Sequence, residues 1–161
     1  MPVRTPPLTA IGLIMLLAAA GCRPPAATVD DPIPADFALL FLVDTTDHPD
    51  DPRRRRALHV VEPDRTLRAA LGPGVTDDLH PPATATITPR DMRELYRLAE
   101  TARLASAPGT PGNAAPPPPG VPVYRMVLRV DGDRHERVLV AGQQPAADQL
   151  LTALVRLRGG R

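Results

Sequence analysis

The amino-acid sequence predicts an α+β fold. The form expected is a two-layer sandwich, an antiparallel sheet of four to five strands with two helices on one face, in the order ββ(β)α-ββα. Three observations predict it. Short apolar runs of strand length, bounded by turn residues, occur in 37–71 and 123–140. Two stretches, 88–104 and 145–158, repeat apolar residues at helical spacing. The helix and strand breakers, 22 Pro and 11 Gly in 161 residues, fall mostly between these elements.

Residues 37–43 (FALLFLV) are apolar at both odd and even positions, which predicts a central strand covered on both sides. Residues 44–56 form a charged loop. A short strand over 57–61 follows, then a turn at 62–65. Residues 66–71 are an optional further strand, which is why the count is four to five, and 72–82 read as loop. Thr88 can cap a helix, Pro89 suits its first position, and Asp91 can act as the capping-box acid. Met92, Leu95, Tyr96 and Ala99 then make one apolar stripe on a helix running to about Leu104. Arg90, Arg93, Arg97 and Glu100 take its wet face.

Residues 105–122 hold seven Pro and three Gly and read as a disordered, flexible or semi-rigid insert, with polyproline II over 116–119. Residues 123–130 alternate, with Tyr124, Met126, Leu128 and Val130 on one face. In the hairpin that follows, a three-residue turn at Asp131-Gly132-Asp133 pairs Met126 with Val138 and Tyr124 with Val140. A two-residue turn would set Met126 against Arg137, so the longer turn is expected. Pro145 opens a second helix with Ala147, Leu150, Leu151, Leu154 and Val155 as its stripe, and Gly159 stops it.

Composition removes several chemistries. All 19 basic residues are Arg, so there is no Schiff-base or phosphate-loop lysine. Ser106, the one serine, lies in the Pro/Gly tract without the rigid turn that activates a nucleophile. A single Cys permits no intramolecular disulfide and no Cys-rich zinc site. The net charge of +1 points to no anionic partner, and no cofactor is expected.

Residues 8–21 (LTAIGLIMLLAAAG) are 14 residues without a charge, preceded by Arg4 and followed by Cys22, Arg23, Pro24 and Pro25. The run is short of the roughly 20 apolar residues that span a bilayer and suits the core of a signal peptide. With Ala19-Ala20-Gly21-Cys22 as the lipobox, the segment resembles the signal peptide of bacterial lipoproteins, although Leu is usual where Ala19 stands. The resemblance implies cleavage between Gly21 and Cys22, a diacylglyceryl group on the Cys22 sulfur, and an acyl chain such as palmitate on the new amine. An ordinary secretory signal and a short membrane anchor are the alternatives. Each buried CH₂ contributes about 0.8 kcal/mol, so two or three chains hold the protein to the membrane.

The expected organisation is therefore a signal peptide at 1–21, the lipidated Cys22 and an extended Pro-rich tether at 22–35, and a single α+β domain at 36–158. The expected location is the periplasmic face of a bacterial cell envelope. Residue 23 is Arg and not Asp, which by resemblance to enterobacterial lipoproteins favours the outer membrane of a Gram-negative cell.

Four sets of residues are candidate sites. Asp44, Asp47 and His48, with Asp50 and Asp51, offer oxygens for a divalent cation, but the loop lacks the spacing and turn Gly of a calcium loop and four arginines follow it. A solvated zwitterionic loop is the preferred reading. Arg53, Arg54, Arg55 and Arg56 are candidates for contact with an anionic surface such as lipid headgroups; no nucleic-acid partner is expected of an exported chain. His48, His59, His80 and His135 lack zinc-ligand spacing. Glu62, Glu94, Glu100 and Glu136 supply carboxylates for an acid–base pair, should one meet a histidine in a pocket.

The stretches 61–71, 87–104, 123–140 and 147–157 together resemble the small α+β domain of emfourin-like bacterial proteins, some of which inhibit metalloproteases. The shared features are an Asp turn, a capped helix, a Tyr-led hairpin and a final amphipathic helix. This chain adds the charged loop and the Pro insert. The reading reached is a lipid-anchored envelope protein, held to the membrane through Cys22, with a non-catalytic module that binds an envelope protein or polymer. A small hydrolase using His and Glu, or an emfourin-like inhibitor, is the alternative.

Overall fold

The computed structural model describes residues 32–45, 55–105 and 120–160. The proposed signal peptide, most of the tether and residues 106–119 of the insert lie outside them. The elements are β1 (Ala38–Asp44), β2 (Ala57–Val61), β3 (Thr66–Leu71), β4 (Ala83–Thr86), α1 (Pro89–Ala105), β5 (Val123–Val130), β6 (Asp133–Val140) and α2 (Pro145–Arg158). They make an α+β fold: a six-stranded sheet in the order β4-β3-β2-β1-β5-β6, antiparallel throughout, and two helices.

β1 is central, as its two-sided apolar pattern requires. Leu39, Phe41 and Val43 enter the main core, where the stripes of α1 (Met92, Leu95, Leu98) and α2 (Leu150, Leu151, Leu154) meet them. Leu42 enters a smaller cluster with Leu58 and Val75. Period-two alternation sends neighbouring residues of one strand to opposite faces, so this second cluster lies on the far face of the sheet. The loop after β3 supplies its cover. Arg56 Nε donates to the Val75 carbonyl at 2.7 Å, and Arg125 on β5 pairs with Asp77 of the same loop.

α1 begins as its cap residues dictate. Thr88 Oγ1 accepts the Asp91 N–H at 3.1 Å, and its hydroxyl donates to the Asp91 carboxylate. The stripe extends further round the helix than expected. Glu100, read as a wet-face residue, is buried and held by Arg103 through a two-oxygen contact.

Two expectations are corrected. The sheet has six strands and not four or five, because β4 forms an additional edge. Its sequence, ATAT, alternates only the small Ala with Thr and is mostly exposed, and pairing with β3 plus the Thr84 Oγ1 bond to the Leu67 carbonyl (3.0 Å) holds it. The hairpin turn has two residues, not three: Val130 faces Asp133, Tyr124 faces Leu139 and Met126 faces Arg137. Asp131 (φ 53°) and Gly132 (φ 83°) are both left-handed, as in the tight turn whose twist matches the strands. Asp36 fixes that turn by accepting both of its N–H groups, at 2.9 and 2.7 Å.

The longer turn is not adopted because β6 is an edge strand whose Arg137 reaches the C-terminus of α1. The last carbonyls of a helix need donors. Arg137 Nε meets the Arg103 carbonyl at 3.3 Å, so an inward-facing cation is satisfied there. Inward charges also discourage edge-to-edge association.

Candidate functional site

α1 and α2 run antiparallel. Arg156 near the end of α2 reaches Asp91 (3.4 Å) and Glu94 (3.2 Å) in the first turns of α1. Between the helices lies a groove of about 340 Å³. Glu94, Arg97 and Leu98 line it from α1, and Asp148, Gln149, Thr152, Ala153 and Arg156 from α2. On each helix these positions recur at three- and four-residue steps, so each set forms one face. Leu98 and Ala153, both buried, make the apolar floor.

Most polar groups of the groove are already engaged. Arg156 holds Glu94. The Asp148 carboxylate accepts the Tyr124 hydroxyl at 3.0 Å and the Gly142 N–H at 3.1 Å, which ties α2 to β5 and to the β6–α2 turn. The Thr152 hydroxyl donates to the Asp148 carbonyl. Two side chains remain: the Arg97 guanidinium and the Gln149 amide have no hydrogen-bond or ion-pair partner among the described residues.

The residues singled out in the sequence fall elsewhere. Gly21, Cys22, Asp47, His48, Asp50, Asp51, Arg53 and Arg54 lie outside the described residues. Asp44 ends β1 and pairs with Arg56 at 3.4 Å, so these two close the base of the charged loop. Arg56 is thus engaged by Asp44 and by Val75, while Arg55 is exposed. No group of three or more His, Cys, Asp or Glu side chains suited to a metal occurs among the described residues.

The four glutamates do not converge. Each sits beside an arginine: Glu62 with Arg68 (3.0 Å, off the line of a hydrogen bond), Glu94 with Arg156, Glu100 with Arg103, and Glu136 with Arg125 (2.7 Å). Only Glu94 lines the groove, and no histidine does. His80 lies in the exposed loop after β3 and His135 on β6.

His59 on β2 is fully buried, and neither ring nitrogen has a hydrogen-bond partner among the described residues. Burial, reinforced by the charge of Arg158, pulls its pKa down from 6.5 to about 4. It is a neutral core group, between Phe41 and Ala69 on the neighbouring strands.

Sequence reading placed Arg97 on a wet face and gave Gln149 no role. Only the antiparallel docking of α1 on α2 brings them to one groove. No protein-family model matches the chain, and no curated protein matches it. No helix among the described residues is long and apolar enough to cross a membrane.

Proposed function

We propose that this chain is a lipid-anchored protein of the bacterial cell envelope whose small α+β domain binds another envelope protein or polymer and performs no catalysis. The observation that carries the reading is the position of Cys22. The chain's one cysteine directly follows Ala19-Ala20-Gly21, at the end of an uncharged apolar run and ahead of a Pro-rich tether. The tether joins a domain whose first core residue is Phe37, packed edge-on against Tyr96 with ring centroids 5.3 Å apart.

The geometry supports a binding role. The tether enters at the start of β1, and the charged loop leaves at its end, beside Asp44 and Arg56. Seven extended residues separate these points by roughly 23 Å. The loop bearing Arg53–Arg56 therefore leaves at the end of β1 opposite the tether, away from the point of attachment. The hydrolase alternative needs a histidine and a free carboxylate in one pocket, whereas the groove offers Glu94, already held by Arg156, and Asp148, already bonded to Tyr124 and Gly142, and no histidine among the described residues.

Cross-linking of the full-length protein in its native membranes, followed by affinity capture and mass spectrometry, tests this role. The expected result is a partner enriched over a tagged lipoprotein carrying an unrelated domain. Equal recovery from both overturns the binding role.

A further inference from the structure

From the outer edge of the sheet we propose that the domain pairs with a second copy of itself, β6 against β6 in antiparallel register, about a two-fold axis that passes between the two His135 residues. The inference is independent of the binding role above. β6 ends the strand order and has no neighbour beyond it among the described residues. The other edge strand, β4, has four residues and follows Pro81 and Pro82, whereas β6 has eight and no proline. The Ala141 N–H donates to the Pro122 carbonyl at 3.0 Å, just past the last β5–β6 pair. Main-chain groups alternate in direction along an antiparallel strand. Those of Asp133, His135, Arg137 and Leu139 therefore turn to β5, and those of Arg134, Glu136, Val138 and Val140 turn outward.

The order of side chains selects the partner and the register. A two-fold interface is self-complementary, and residues directly opposite in an antiparallel pair share one face of the sheet. With His135 opposite its own copy, Arg134 stands opposite Glu136 on one face and Asp133 opposite Arg137 on the other, each pair occurring twice. All four pairs are of opposite charge, which stabilises a sheet. The outward main-chain groups of Arg134 and Glu136 also meet, and exchange both N–H···O bonds. Centring the pair on Arg134, Glu136 or Arg137 opposes like charges. Centring it on Val138 sets Arg137 and Glu136 against Leu139 and Val140. The inward Arg137 thus guards the edge against other pairings and fits this one.

Arg137 has no carboxylate partner among the described residues. Its Nη1 bonds the outward Glu136 carbonyl at 2.7 Å, and burial and the charge of Arg103 lower its pKa. In the pair, Asp133 of the second copy draws that nitrogen away and leaves the carbonyl to the Arg134 N–H opposite. Glu136 keeps Arg125 (2.7 Å) and exchanges Arg134 of its own strand (3.4 Å) for Arg134 of the second copy. An overlap of five residues per strand makes a small interface of the transient class.

The test uses the full-length protein in its native membranes, under mild oxidation. His135→Cys is expected to give a disulfide-linked dimer above the wild type, whose one cysteine is Cys22. Opposed residues of a non-hydrogen-bonded pair have Cα atoms about 4.5 Å apart, within disulfide reach. Val138→Cys is expected to give none, because its two copies lie roughly 20 Å apart in this register. Adding Arg134→Glu to His135→Cys opposes two carboxylates at two places and should slow the cross-linking about tenfold. Arg134 is exposed, so the melting temperature should survive that change. A second readout needs no substitution. As wild-type protein in detergent micelles is concentrated, amide hydrogen exchange at Arg134 and Glu136 should slow, and exchange at Val140 should not.

No dimer from a folded His135→Cys, equal cross-linking of Val138→Cys, or a rate unchanged by Arg134→Glu overturns the inference. So does exchange at Arg134 and Glu136 that is independent of concentration. Each of these results leaves the capture of another envelope partner, and so the binding role, intact.

Discussion

The guanidinium of Arg158, the last residue of α2, bears electrostatically on the buried imidazole of His59 on β2. Both His59 ring nitrogens and Arg158 Nη1 are buried without a hydrogen-bond partner among the described residues, and burial first, then the guanidinium charge, disfavours protonation of the imidazole. Arg158 in turn has its own pKa lowered by burial and by the charge of Arg55. The end of α2 is thus docked on a group that the fold tolerates only in its neutral form.

Acid stability follows from that relationship. Unfolded, His59 takes up a proton near its ordinary pKa of 6.5, and folded only near 4. The unfolded chain binds more protons across that window, so stability falls as the pH drops from 6.5 to 4, by about 3 kcal/mol in all. Asp36, Asp64 and Asp78 are held below 3.8, chiefly by the Gly132 N–H, the Thr66 N–H and the Thr76 hydroxyl. Their contributions are present above that value and decline only below it, outside the histidine window. Urea unfolding from pH 7 to pH 4 should show a steep loss for the wild type and a flatter curve for His59→Leu. At pH 7 the variant should be more stable by about 1 kcal/mol, since two unsatisfied buried atoms are removed.

The two-residue turn makes neighbouring β6 positions unequal. Leu139 is 2% exposed and Val138 is 46% exposed. Leu139→Ser should cost about 3 kcal/mol, whereas Val138→Ser should stay within about 0.5 kcal/mol. Thermal or chemical denaturation of both variants reads the register directly. The reverse ranking would restore the three-residue turn.

At the start of α1, Thr88→Ala removes the acceptor for the Asp91 N–H and the hydroxyl bond to its carboxylate. A loss of about 1 kcal/mol is expected by denaturant unfolding. Thr88→Ser keeps the oxygen and should recover most of that loss.

Across the layers, Tyr124→Phe deletes the one hydroxyl that joins β5 to Asp148 on α2. The ring stays packed against Phe41, with centroids 5.2 Å apart. The expected cost is about 1 kcal/mol, accompanied by faster amide hydrogen exchange in the first turn of α2.

The legible parts of the fold were those where one physical signal dominates. Phe37 to Val43 is apolar on both sides, which only a central strand accommodates. Thr88, Pro89 and Asp91 announce a helix start, and the 145–158 stripe leaves one face for the core. β4 was not legible because Ala83–Thr86 lies at an edge and is mostly exposed, so pairing and not burial holds it. The β6 register was not legible because Arg137 turns inward to serve a helix carbonyl, an acceptor that the local pattern does not show. The groove escaped for a similar reason: Arg97 and Gln149 look like ordinary solvated helix residues until two helices are laid side by side. Cys22 is the opposite case, a position whose proposed role is carried by sequence order alone.

The central claim is the lipid anchor, and metabolic labelling tests it most directly. Cells expressing the wild type or Cys22→Ala are grown with an alkyne fatty acid, and the immunoprecipitated protein is scored for label. The wild type should carry label in the membrane fraction, and Cys22→Ala should carry none and should remain unprocessed or be released. Label that survives the substitution, or a wild type that takes up none, would contradict the account.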